Sequence, residues 1–212
     1  IFVKKYYRLD KIFLIFWVHP IISMAIIIFL SGCVSTNIIP SLSNDDLENN
    51  KESLSNIFNW KFHGRIAVKT RLDGYHGNII WKQTGNSFQI SLWGPLGLGM
   101  LSINGSSEDI EITNVNGQII ALKNVEDELQ HFIESIIPIS SIQYWLLGIP
   151  NPYFPSKIES RDNSTVIDFK QSGWVIEASD FKRNIEFLLP HKIFLSNIDT
   201  DVRVAVENWE IF

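Results

Sequence analysis

The sequence predicts a mainly β domain of the α+β class, in which an antiparallel sheet carries helices segregated to one side or end. Three observations support this. Apolar and polar residues alternate with period 2 in several short runs, glycine-containing turn signals separate consecutive runs, and two segments of helical spacing interrupt them. Strands that follow each other through short turns pair antiparallel. A closed barrel and a curved half-barrel both fit, because alternation alone does not distinguish them.

Residues 1–32 are predicted to form a secretory signal peptide. A basic start is followed by an apolar run over 12–30 and by Leu30-Ser31-Gly32-Cys33, which resembles the lipobox of bacterial lipoproteins, where the cysteine is acylated. The alternative is an uncleaved anchor, since the run is nearly long enough to span a bilayer. Pro20 inside the run and the position of Cys33, the single cysteine of the chain, favour cleavage and lipidation.

Charge and composition exclude several classes of protein. The chain has 212 residues and a net charge of -5. The leader holds four of the 18 basic and one of the 23 acidic residues, so the mature part carries a net charge of -8. Such an acidic chain is not expected to bind nucleic acid through bulk charge. With Cys33 acylated, no disulfide framework remains.

The mature chain is predicted to contain one domain, over 60–212. Residues 33–59 form the lipidated N-terminus and a polar tether with a candidate helix over about 45–58. The strand pattern is clearest at Phe88, Ile90 and Leu92, which alternate with polar residues. The other strand signals lie near 66–68, 79–81, 110–112, 119–122, 166–171, 174–178, 192–195 and 202–209. Turn signals fall at Asp73-Gly74, Thr84-Gly85-Asn86, Asn104-Gly105 and Asn116-Gly117.

Two helices are predicted inside the strand pattern. The first runs over 125–137, with Asn124 as its N-cap and Pro138 ending it. Ser140 or Ser141 is expected to cap a second, short helix that ends at Gly148. A proline-rich segment over 149–155 then returns the chain to the sheet.

The sequence contains no arrangement of residues that predicts catalysis. The five histidines are scattered, and neither a nucleophile elbow nor a phosphate-binding loop is present. We therefore expect no enzymatic activity, metal or cofactor. The most informative segment is the loop over 93–99, where apolar residues stand between glycine and proline, although turn tips are usually polar. Its leucine tip at Leu96 either folds back onto the core or contacts lipid.

The order of short motifs along the mature chain resembles the LolB family of outer-membrane lipoprotein receptors. After the lipobox come Trp60, Gly64-Arg65-Ile66-Ala67-Val68, Trp81-Lys82-Gln83, Pro95-Leu96-Gly97, Trp145-Leu146-Leu147-Gly148-Ile149-Pro150, Gln171-Ser172-Gly173-Trp174, Leu189-Pro190 and Lys192-Ile193. Each motif is short, and their shared order is what is specific.

The resemblance implies an open antiparallel half-barrel covered by helices, with a hydrophobic cavity inside. It further implies that the protein accepts triacylated lipoproteins from the periplasmic carrier LolA and inserts them into the outer membrane without ATP. Its partners would be LolA, the acyl chains of cargo lipoproteins and outer-membrane lipid, and the protein would be a monomer. Val34 after Cys33 favours the outer membrane, since Asp at that position tends to retain such lipoproteins in the inner membrane.

The resemblance also assigns candidate site residues. The membrane-insertion loop would consist of Pro95, Leu96, Gly97 and Leu98, with Leu96 at the position of the family's protruding leucine and Leu98 as a second candidate. Apolar residues of the strands and the short helix are candidates for the cavity wall, although a packed core is an equal alternative for each. They are Ile66, Val68, Trp81, Phe88, Ile90, Leu92, Trp145, Leu146 and Trp174.

Two other functions remain open from the residues alone. One is a structural or assembly lipoprotein of the outer membrane that binds no lipid cargo. The other is a lipocalin-like binder of small apolar ligands. The acidic surface favours docking to a basic rim on the carrier, an interaction that salt would weaken.

Overall fold

The computed structural model describes residues 44–97, 99–106, 108–123, 138–159, 166–184 and 186–212. Within them the chain forms two α-helices and eleven strands, with a single 3-10 turn over Pro95–Gly97. The helices are α1 (Asn44–Ser55) and α2 (Ile139–Leu146). The strands are β1 (Asn59–Lys69), β2 (Gly74–Thr84), β3 (Ser87–Trp93), β4 (Leu101–Gly105), β5 (Asp109–Thr113), β6 (Ile119–Lys123), β7 (Ser156–Ile158), β8 (Ile167–Gln171), β9 (Trp174–Asn184), β10 (Phe187–Ser196) and β11 (Asp201–Ile211).

All described strands belong to one antiparallel sheet in the order β6-β5-β4-β3-β2-β1-β11-β10-β9-β8-β7. Consecutive strands pair with each other within β1–β6 and within β7–β11, and the pairing of β1 with β11 joins the two halves. The strands β6 and β7 lie at opposite edges and do not pair with each other, so the described sheet is unclosed. The mainly β, antiparallel prediction is confirmed, and of the two alternatives the open sheet is the one observed.

The central pair β1 and β11 contains a β-bulge at Gly64. His63 pairs with Asn208 and Gly64 pairs with Val206, so Glu207 is an extra residue on β11. A Cβ at position 64 would collide with the backbone carbonyl oxygen of Ala205. Glycine is therefore the residue that lets the two strands stay paired through the bulge.

One face of the sheet carries a continuous hydrophobic cluster. On β1 the even-numbered side chains point to it, and Trp60 and Phe62 are almost fully buried. The same alternation brings in Trp81 from β2 and Trp209 from β11, and the Trp60 ring centroid lies 5.5 Å from that of Trp209 and 6.2 Å from that of Trp81. Since alternation places successive side chains on opposite faces, the odd-numbered residues of β1 form the outer face.

Both helices contact this cluster. Leu54 of α1 is fully buried in it, and Asn50 exchanges two 2.9 Å hydrogen bonds with the backbone of Leu188 on β10. From α2, Trp145 and Leu146 are buried in the same cluster. How far helices cover the sheet stays a prediction, because residues 124–137, where the longer helix is predicted, lie outside the described part.

The end of α2 follows the prediction, but its start does not. Gly148, with a φ of 77°, lies just after the helix, and its N–H donates to the Trp145 carbonyl over 3.0 Å. At the start, Pro138 occupies the N-cap without a side-chain hydrogen bond, so the expected capping by Ser140 or Ser141 is wrong. The Ser141 hydroxyl instead accepts a 3.0 Å hydrogen bond from the Asn151 amide.

Several strand boundaries also differ from those predicted. Asn104 and Gly105 belong to the end of β4, not to a turn, and the reversal follows them. Strand β10 begins at Phe187, well before the predicted 192, and continues through Pro190. Proline is tolerated there because the pairing with β9 is irregular beside Asp180, whose φ is 55°. Strands β4 and β7 were not predicted. The candidate helix over 45–58 ends earlier than predicted, at Ser55.

Candidate functional site

The loop between β3 and β4 contains a 3-10 turn. Its 3-10 turn over Pro95–Gly97 is closed by a 3.2 Å hydrogen bond from the Gly97 N–H to the Gly94 carbonyl. Gly97 and Gly99 have φ values of 76° and 72°, which favour glycine. Pro95 and Gly97 are exposed, and Met100 is 56% exposed. Leu98 and the side chain of Leu96 lie outside the described residues, so the insertion role of this loop stays a prediction.

The nine candidate cavity residues converge on the hydrophobic face of the sheet. Ile66, Val68 and Leu92 are half-buried at the border of the cluster. The other six are buried within it: Trp81, Phe88, Ile90, Trp145, Leu146 and Trp174. The structure thus brings all nine to one apolar surface. Whether they line a cavity or only pack as core stays a prediction.

Two aromatic pairs organise the candidates on the two halves of the sheet. The ring centroids of Trp81 and Phe88 lie 5.7 Å apart on β2 and β3. On the other side, Trp145 of α2 lies 6.1 Å from Trp174 of β9. Such tilted arrangements are favourable for aromatic rings beyond the burial of their area.

A buried amide network holds α2 and the proline-rich segment against β8. Gln171, which is 2% exposed, accepts at Oε1 from the Trp145 indole N–H over 2.7 Å and from the Asn151 backbone N–H over 2.9 Å. Its Nε2 donates to the carbonyls of Asn151 and Phe154, both at 2.9 Å. Every polar position of the Gln171 amide is therefore used to position this segment.

A second amide, Gln83, connects β2 to α2. It accepts from the Trp81 indole over 3.1 Å and donates to Gln143 of α2 over 3.0 Å. Neither amide was predicted to be a positioning residue. The sequence did contain a signal for them. Gln83 and Gln171 stand at inward-facing strand positions where the alternation pattern has apolar residues, and a buried polar side chain there needs a hydrogen-bond partner.

Two open clefts border the candidate residues. A cleft of about 330 Å³ beside the start of α2 is lined by aromatic and amide side chains, including Phe58, Phe88 and Gln143. A depression of about 900 Å³ is lined mainly by side chains of the outer face, where the small Ala67 and Ala205 leave room. Of the nine candidates, Phe88 borders the first cleft and Ile66 the second.

Long charged side chains surround the outer depression. The Nε atom of Arg65 lies 3.2 Å from Oε1 of Glu207. The Arg203 guanidinium lies 5.4 Å from the centroid of the Phe194 ring. The Nζ atom of Lys192 lies 3.9 Å from Oδ2 of Asp180. The depression is thus lined by both apolar and charged side chains.

Neither a metal cluster nor a membrane-spanning helix is found in the part of the chain that the structure describes. No three His, Cys, Asp or Glu residues there come close enough to hold a metal ion. No helix there is long and apolar enough to cross a bilayer. The predicted signal peptide over 1–32 and the acylation of Cys33 fall outside the described residues.

His191 gives the fold a predictable response to acid. Burial lowers the pKa of its imidazole, against the opposing effect of a 2.8 Å hydrogen bond between Nδ1 and the Val206 carbonyl. The folded state therefore binds a proton less readily than the unfolded state, and stability falls as pH drops below about 6.5, the ordinary histidine value. We expect His191→Asn to reduce this slope, measured by urea unfolding between pH 5.5 and 7. An unchanged slope would contradict the assignment.

Known proteins resemble this chain over the part that contains the sheet and α2. The profile of the family described as outer membrane lipoprotein LolB matches residues 58–209. An outer-membrane lipoprotein LolB from Nitrosococcus oceani is 29% identical over 199 residues, which cover 92% of this chain and 98% of the relative. Another, from Francisella tularensis subsp. novicida, is 24% identical over 196 residues, which cover 90% and 93%.

Solved structures show only distant likeness. A putative outer membrane lipoprotein-sorting protein domain from Vibrio parahaemolyticus has a TM-score of 0.48 at 8% identity, covering 78% of this chain and 91% of that one. A LolA superfamily protein from Nitrosomonas europaea has a TM-score of 0.47 at 9% identity, covering 78% and 93%. The family profile spans most of the chain, including the sheet and α2. The chain therefore belongs to the LolB family of outer-membrane lipoproteins, which confirms the predicted resemblance and the predicted lipid-anchored location at the outer membrane.

Proposed function

We propose that this protein accepts triacylated lipoproteins from the periplasmic carrier LolA and inserts them into the outer membrane without ATP. The observation that carries the proposal is the family match over 58–209. The convergence of the nine candidate residues on one apolar face supports it, because acyl chains need such a surface. In this proposal residues 1–32 are removed, Cys33 is acylated, and the domain over 60–212 receives the cargo as a monomer.

The energetics of acyl chains explain why a receptor is needed. Each methylene hidden from water contributes about 0.8 kcal/mol, so free transit of several chains through water would cost tens of kcal/mol. A receptor with an apolar surface of higher affinity than the carrier draws the cargo forward without a coupled reaction. We propose that the acyl chains lie against the hydrophobic face between the sheet and α2.

Reconstitution tests the proposal directly. The acylated protein is placed in liposomes and mixed with a LolA–lipoprotein complex in the absence of nucleotide. We expect the lipoprotein to leave the soluble carrier and to float with the liposomes. Liposomes without the protein are the control. If the cargo stays with LolA in both samples, the receptor function is wrong.

The two alternatives give different results in a probe-binding assay. A purified receptor should bind a fluorescent apolar probe that an acylated peptide displaces. A lipocalin-like binder would bind the probe but would not pass cargo from LolA to liposomes. A structural or assembly lipoprotein would do neither.

A further inference from the structure

The two central hairpins of the sheet end in turns that lie side by side. In the register of the sheet, Lys69 at the end of β1 pairs with Gly74 at the start of β2 and with Asp201 at the start of β11. Asp201 pairs in turn with Ser196 at the end of β10. The β1–β2 turn over 70–73 and the β10–β11 turn over 197–200 therefore leave the sheet at the same height. Two strand intervals separate their centres, about 10 Å.

Each turn presents one apolar side chain to solvent. Leu72 is 99% exposed and Ile198 is 88% exposed. We call these two residues the turn-tip pair. The β3–β4 loop leaves the same end of the sheet, and its Met100 is also exposed. At the opposite end, the described turn residues are small or polar: Gly85, Asn86, Ser106, Glu108 and Glu186. The exposed apolar residues at that end, Phe58 and Phe212, lie beside the ends of β1 and β11 and not at turn tips.

The turns do not need these apolar residues in order to fold. In the first turn, the Thr70 hydroxyl accepts from the N–H groups of Leu72 and Asp73 over 3.3 and 3.0 Å. In the second, Asn197 Oδ1 accepts from the N–H groups of Asp199 and Thr200 over 2.9 and 2.8 Å. The first residue of each turn thus supplies the hydrogen bonds, and the side chain at the tip takes no part in them.

An ion pair links the two turns. Arg71 of the first turn pairs with Asp199 of the second, so the two tips belong to turns that contact each other. The charges beside the tips nearly cancel, with Lys69 and Arg71 against Asp73, Asp199 and Asp201. A partner that recognises this end of the sheet must therefore be attracted by the apolar side chains and not by charge.

We infer that the turn-tip pair, Leu72 and Ile198, contacts the outer-membrane bilayer directly and orients the anchored domain with this end toward the lipid. Family membership places the chain at that membrane, so a bilayer is always within reach. Two narrow tips also suit insertion between lipids better than a protein interface, which needs a continuous patch of about 800 Å² on each partner. The inference does not depend on cargo transfer.

Site-specific fluorescence tests this contact in the acylated full-length protein. Leu72→Cys and Ile198→Cys are each labelled with a polarity-sensitive fluorophore, and the parent chain treated with the same reagent gives the background. The proteins are anchored in vesicles of phosphatidylethanolamine and phosphatidylcholine, without carrier or cargo. We expect the emission of both labels to shift to shorter wavelength and to be quenched by spin-labelled lipid. High salt should leave both effects unchanged, since charge does not drive the contact.

The matched control is Phe212→Cys, because Phe212 is also an exposed apolar residue and lies beyond the far end of β11. Its label should stay in a watery environment. The inference is overturned if either tip label behaves like the Phe212 label in vesicles. It is also overturned if a tip label shifts only after LolA is added, since the tips would then serve a protein partner. An unchanged urea midpoint for each labelled chain verifies folding.

Discussion

Leu96→Glu is expected to slow the insertion of cargo into membranes strongly while leaving acceptance from LolA intact. In the proposed role Leu96 enters lipid from the turn over Pro95–Gly97, whose residues Pro95 and Gly97 are exposed. A carboxylate that must enter lipid costs about 2–4 kcal/mol relative to an apolar residue, which corresponds to a roughly 100-fold slower insertion. The measurement is cargo flotation with liposomes, with carrier release followed separately.

Leu96→Met is the matched control, since it keeps an apolar side chain of similar volume at the tip. We expect its insertion to be close to that of the parent chain. If Leu96→Glu instead blocks release from LolA or unfolds the domain, the leucine packs in the core and the insertion loop is wrongly assigned.

Gln171→Leu is expected to destabilise the domain by about 3–5 kcal/mol. The change leaves the Trp145 indole N–H, the Asn151 N–H and the carbonyls of Asn151 and Phe154 without their partner. Each buried polar group left unpaired costs about 1–3 kcal/mol, partly offset by the added apolar side chain. The measurement is the free energy of unfolding in urea.

The control for this prediction is Gln118→Leu, the same substitution at an exposed position in the β5–β6 turn. It should change stability by less than about 0.5 kcal/mol. Equal effects of the two substitutions would show that the buried amide network contributes nothing.

Much of the strand pattern could be predicted because alternation is a local property. Phe88, Ile90 and Leu92 alternate with polar residues within seven positions, and β3 has those residues on its inner face. Strand β4 was missed because Asn104 and Gly105 are common turn residues, yet they pair with Gln89 and Phe88. Their extended conformation comes from a neighbouring strand, which a local pattern does not contain.

The candidate site could be predicted only in part, because its contacts join residues that are distant in the chain. Trp145 and Trp174 were recognised as apolar, but their 6.1 Å contact joins a helix to a strand almost thirty positions later. Gln171 looked like an ordinary polar residue of a short motif. Only packing shows it to be buried and bonded on all sides.

The sequence by itself determined the class of this protein through an acidic composition, alternating strands and an order of motifs that the family match confirms. The tertiary structure decided which residues share a surface. The pairing of β1 with β11 brings the turns at Leu72 and Ile198 level, although 126 positions separate them in the chain. Register between distant strands depends on long-range pairing and side-chain packing, and neither is encoded in any short window of sequence.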